Sequence, residues 1–326
     1  MSRSKRTLVA FAAASLLFGG NFVAAKEGLS FFPPLLFVSL RFDVAAVALG
    51  AYVLATHTGE DLLPRTRGDV ASILATGVLS IGLANALIYV GEQYASGAVA
   101  SIVFSLNPIL TPVFAGVLLA DERLSRRGAI GLVVGLAGVV LVIDPSVAGL
   151  LGGAVGKAIL FGGAVAGALG AVLIRRSSGA LSSTARTAWA LPIAALLCHG
   201  LSLASGERIA AVAWTPNALL ALGYVGVLAG AVAYIAYFGL LDETGAITAN
   251  LVFYLVPVVA TVGGWALLGE SVTALTVAGF LVVFAGFAVL GSESVDVETL
   301  RALVRDRREG SSRALGDDQP AGFESD

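Results

Sequence analysis

The chain has 326 residues, 57% hydrophobic and 13% charged, with a mean hydropathy of +0.90. Soluble domains carry about 25% charged residues, so this composition excludes an ordinary water-soluble fold. A net charge of −2 excludes general attraction to nucleic acid, and one cysteine with two histidines leaves no internal disulfide and no Cys- or His-based metal centre.

Only helices and closed barrels satisfy backbone polar groups in lipid. Long apolar runs without strand-like alternation select helices. Ten spans are expected: Leu8–Ala25, Pro34–Ala55, Val70–Val90, Ala95–Leu119, Gly128–Ile143, Leu151–Ile174, Thr184–Ser205, Pro216–Phe238, Ile247–Leu268 and Thr273–Gly291. The first follows Arg3, Lys5 and Arg6 as a signal peptide would. Its apolar stretch is longer than a usual signal core and no A-x-A site follows, so it is expected to be retained.

The basic residues set the orientation. With the N-terminus inside, sixteen Lys and Arg residues fall on inside segments and only Lys26, Lys157 and Arg208 on outside loops. Both termini are therefore expected in the cytoplasm. Residues 1–7 form a short tail, 8–145 and 151–291 two five-span units, and 292–326 a charged cytoplasmic tail.

The fourth and ninth spans resemble one another. Ser96 to Ile109 aligns with Gly245 to Val258 without a gap, matching Phe104 with Phe253, Leu106 with Leu255 and Pro108 with Pro257. Phe18-Gly19-Gly20 is echoed by Phe161-Gly162-Gly163, and Arg41 by Arg186, at similar separations. The matched spans are five apart, an odd number, so the second unit must enter from the opposite side. That predicts an all-α integral membrane fold, with ten transmembrane helices in two inverted five-helix repeats.

These residues resemble the EamA group of the drug/metabolite transporter superfamily. Three stretches carry the likeness: Leu17 to Phe42, Tyr94 through Pro108 to Glu122, and Gly245 to Glu270. The resemblance implies an inner or plasma membrane carrier with cytoplasmic termini and a substrate cavity between the repeats. One departure is an extra residue at Ala120-Asp121-Glu122 against Gly269-Glu270, and another is an additional proline, Pro112.

Several side chains are candidates for that cavity. A mid-helix proline frees the carbonyl four residues back, so Pro108 and Pro257 are expected hinges or cavity walls; the ordinary alternative is a kink satisfied by neighbouring helices. Ser101 and Ser105 share one helical face, as do Asn250 and Tyr254 at the aligned positions, and Asn107 flanks the first proline. Interhelical hydrogen bonding would explain these equally. Arg41 and Asp43 are charges within a span and need a reason to be there. Arg41 could snorkel outward or meet an anionic substrate. Asp43 is the expected proton site or partner of a cationic substrate, with a structural ion pair as its alternative. Asn85 and Tyr89, four apart, face one way on the third span. Glu92, Glu122 and Glu270 are expected to cap helices or face water, and Trp189, Tyr234 and Tyr237 to pack, lie at the interface or line the cavity.

Gly152-Gly153-Ala154-Val155-Gly156-Lys157 imitates a phosphate loop, but it lacks the first glycine and has Ala158 where Ser or Thr is required. No nucleotide, cofactor or catalytic motif is present, so the drive is expected to be the substrate's own gradient or that of a proton or sodium ion. The expected function is secondary transport, with efflux of a small metabolite, amino acid or drug-like compound by alternating access. A non-transporting scaffold or sensor, and a passive channel, are the alternatives. Oligomeric state is left open.

Overall fold

The computed structural model describes residues 3–119, 126–143, 154–244, 249 and 252–294. All regular structure among them is helical. The helices are α1 (Arg3–Gly28), α2 (Pro34–Thr56), α3 (Arg67–Glu92), α4 (Gly97–Leu118), α5 (Arg126–Ile143), α6 (Ala154–Ser177) and α7 (Ser183–Ala204). Next come α8, in the consecutive pieces Pro216–Gly223, Tyr224–Val232 and Ala233–Thr244, then α9 (Val252–Leu268) and α10 (Ala274–Ser294). Seven of these, α1–α4 and α6–α8, are long and apolar enough to cross a membrane; α5, α9 and α10 carry shorter apolar stretches. The protein is thus a multi-pass membrane protein.

Local chemistry fixes where the helices begin. Ser96, Ser182 and Thr215 each accept a hydrogen bond from the backbone N–H three residues on, satisfying one orphan donor of the first turn. Thr66 and Asp69 form a reciprocal capping box at the start of α3. Pro34 and Pro216 stand at helix starts, where a missing N–H costs nothing. The end of the bundle where α1 finishes and α2 starts is termed upper below, and the opposite end lower.

The packing repeats itself. α1 lies against α9 and α8; α6 lies against α4 and α3. α2 packs on α7 and on the middle of α8, while α7 packs on α2 and on the middle of α3. α5 pairs with α10. Those middles share a rare feature. Ala75–Leu83 of α3 and Tyr224–Val232 of α8 are π-helical segments of nine residues each. They start 149 residues apart, the separation of Pro108 and Pro257. π turns occur mostly as single-turn bulges inside α-helices, frequently at functional sites. Each segment brings a glycine onto its neighbour. A Cβ on Gly77 would meet the carbonyl oxygen of Ala190 in α7 at 2.8 Å, and one on Gly226 would meet Val44 of α2 at 2.7 Å.

Candidate functional site

Arg41 sits seven residues into α2, roughly 10 Å along its axis. It does not snorkel to the surface: it is 4% exposed. Its Nη1 donates to the Tyr89 hydroxyl at 2.9 Å and to Asn85 Oδ1 at 3.3 Å. The guanidinium carbon lies 5.4 Å from the centre of the Tyr89 ring and 5.1 Å from that of Phe42, within range of cation–π attraction. Asn85 is itself oriented by its Nδ2, which donates to the Ile81 carbonyl at 2.8 Å. Tyr89 is fully buried and packs edge-on against Phe37. Three residues proposed from separate sequence arguments, on two helices, thus form one group. α2 packs against α3, α7 and the middle of α8, so the group lies where these four helices meet.

From Tyr234 an aromatic wall continues to α1 and α9. Phe18 lies 5.3 Å from Tyr234, 6.2 Å from Tyr237 and 6.0 Å from Phe253 between ring centres. Tyr237 meets Phe253 at 5.2 Å, and Phe238 stacks on Tyr234. Trp189 is separate, half-exposed and bonded through its indole N–H to the Leu62 carbonyl at 2.7 Å.

The broken helix takes a form that the proline rule alone does not give. α4 is two helices, Gly97–Phe104 and Asn107–Leu118, joined through Ser105 and Leu106. Pro108 occupies the first turn of the second piece, so it starts a helix and does not kink a continuous one; Pro112 is the proline inside that piece. Pro257 is buried within α9, where a hydrogen bond is lost. The Ser101 and Ser105 hydroxyls donate to their own helix, at the Ala98 and Ser101 carbonyls, both 2.8 Å away. Asn107 lies against Gly167 of α6, where a Cβ would come within 2.7 Å of its amide. Asn250 lies outside the described residues, as does Glu122, and of Tyr254 only the place in α9 is described.

Asp43 stands apart from this group. It is 48% exposed on the flank of the bundle, with His199 of α7 at 36% exposure and Nε2 to Oδ2 at 2.8 Å. Two residues along a helix turn the side chain by about 200°, so a buried Arg41 puts Asp43 outside. Its pairing with His199 has the geometry of the ion-pair alternative.

Carboxylates bind the helices together at both ends. At the upper end Glu207, just past α7, accepts from the N–H groups of Leu35 at 3.1 Å and Leu36 at 2.6 Å, capping α2. At the lower end Asp69 accepts from Ala180 at 2.7 Å and Leu181 at 3.2 Å, just before α7, as well as from Arg65 and Thr66. Glu270 follows α9 and accepts from Gly97 N–H at 3.0 Å, capping α4 as expected of it. Glu92 corrects the sequence reading: it is wholly buried, and neither carboxyl oxygen has a hydrogen-bond partner. Lys26 reaches its backbone instead, donating to the carbonyls of Glu92 at 2.5 Å and Ala95 at 2.8 Å.

The profile of the EamA-like transporter family matches residues 5–144 and again 154–292. The chain belongs to that family. EamA-family relatives include an "uncharacterized transporter" of Archaeoglobus fulgidus, 24% identical over 83% of this chain and 94% of its own. YoaV of Bacillus subtilis, also named an uncharacterized transporter, is 24% identical over 86% and 95%. The uncharacterized inner membrane transporter YedA of Escherichia coli K12 is 26% identical over 79% and 81%. One solved crystal structure superposes with a TM-score of 0.60 at 22% identity, covering 89% of this chain and 99% of the other, and so shares the fold. Family and relatives are named as transporters, not enzymes.

Three features of this EamA-family chain escaped the sequence reading. The π segments leave no periodic signal in stretches that are apolar on every side. Glu207 and Asp69 act on backbone N–H groups remote in sequence, and nothing local marks those as partners. Phe18 and Phe253 were matched only as repeat markers, although their alignment with aromatic neighbours was available.

Proposed function

We propose that this protein is a secondary transporter of a small metabolite, amino acid or drug-like compound, working by alternating access. Ten spans form two inverted five-helix repeats around the Arg41, Asn85 and Tyr89 group. The observation that carries the reading is the exchange of partners. Among the described residues, the main contacts of α1 and α2 with α7, α8 and α9 have counterparts made by α6 and α7 with α2, α3 and α4. The twin π segments and the twofold family match support the same symmetry. A scaffold has no need of it, whereas a carrier uses it to build one site reachable from two sides.

In this reading the lower end faces the cytoplasm with both termini, in a cell or inner membrane. Asn107, Ser101, Ser105, Asn250 and Tyr254 belong to the cavity side of the two matched spans, and Pro108 and Pro257 mark where they bend. Asp43, on the flank, is not part of the path. The test is flux of a metabolite panel into proteoliposomes. Saturation together with counterflow is expected. Flux that never saturates would identify a channel, and absence of flux for every solute would favour the scaffold.

A further inference from the structure

We propose that Arg41 is the subsite for a planar oxyanion, and that the substrate is a small monocarboxylate with an apolar body. This rests on the transporter reading and names its substrate class. A guanidinium cannot give up its charge inside a protein. Arg41 is nevertheless buried with no ion pair to any carboxylate among the described residues. Both of its hydrogen bonds come from Nη1, to neutral oxygens. Its Nε is buried and has no partner.

The unused side of the group is therefore the Nε–Nη2 edge. Its two N–H bonds point the same way, the fork that takes both oxygens of a carboxylate or two of a phosphate. Among the described residues, no other cation shares this place. Arg186 is engaged with Ser183 in the first turn of α7, and Lys26 with the two carbonyls at the upper end. One cation offsets one negative charge, which favours a monocarboxylate over a phosphate dianion. The surroundings supply the apolar part: Phe42, the Tyr89 ring and the aromatic wall that begins at Tyr234. Glu92, one turn beyond Tyr89, makes no hydrogen bond to the guanidinium.

The test uses the full chain in nanodiscs. The probes are benzoate, phenylacetate and hexanoate, each beside its amide and the corresponding phosphate monoester, and binding is read as a saturable rise in melting temperature. At least one acid should bind, with its amide about tenfold weaker or worse, since hydrogen bonds to a charged group are lost. Arg41→Gln should abolish the preference for the acid. Arg41→Lys, which keeps the charge and loses the fork, should weaken the acid by about tenfold. The acid–amide comparison on the unaltered protein decides the matter even if a variant fails to fold. Acids no better than amides, or acid binding unchanged in either variant, would overturn the proposal. Tighter binding of the phosphate monoester would overturn the carboxylate assignment. Flux separates this from the transporter reading: acid binding without any flux sinks the reading and leaves the subsite, whereas saturable flux of neutral solutes alone does the reverse.

Discussion

Lys26 and Glu92 carry the sharpest residue-level consequence. The ammonium holds two carbonyls at the junction of α3 and α4, and Glu92 is buried there without a hydrogen bond. Replacing Lys26 by Met removes two charge-assisted bonds and should cost about 2–3 kcal/mol. Glu92→Gln should cost far less, because the carboxyl gives up no hydrogen bond. In the double variant the loss should be smaller than in Lys26→Met alone, a coupling measurable by thermal unfolding in detergent. Additive losses would mean that the two side chains do not act on each other. Glu207→Gln belongs to the same scale: it keeps the shape and weakens the cap on Leu35 and Leu36. A loss of about 1–2 kcal/mol is expected there, read from the shift in unfolding midpoint.

Helices show what could and could not be read from the chain. Span positions follow from hydropathy alone, and the break in α4 was signalled by Pro108, although the proline proves to start the second piece. Rotation about each axis was not legible, because α2 is apolar nearly all round and has no stripe to point inward. Hence Asp43 reads as the expected proton site and Arg41 as free to snorkel, whereas packing buries Arg41 and leaves Asp43 half-exposed beside His199. Asn85 and Tyr89 were legible as a pair by their spacing, but only the contact of α2 with α3 could reveal Arg41 as their partner. The π segments make an element-level prediction. Gly77 lies on the backbone of α7 and Gly226 on α2, so leucine at either should separate the helices. Gly77→Leu and Gly226→Leu should each lower stability and flux, whereas Gly50→Leu, with open space around it, should change neither. Equal effects at all three positions would show that the close approach of the π segments is not what matters.

At the scale of the whole molecule, Glu207 and Asp69 clamp α7 to its neighbours at opposite ends, to α2 at the top and to α3 at the bottom. Movement is then expected between other contacts, such as the Glu270 cap on α4 at the upper end. Interfaces held by few polar bonds are the ones that open and close. The central claim is that a site at Asn85 is reachable from both faces, never at once. The direct measurement is labelling of Asn85→Cys, in a Cys198→Ala background, by a membrane-impermeant thiol reagent applied to one face or the other of oriented vesicles. Reaction from each face is expected. Tethering the upper end through cysteines at Tyr94 and Ser271 should then abolish labelling from the outer face and increase it from the cytoplasmic one. Labelling from only one face, or a tether that lowers reactivity from both, would contradict the account.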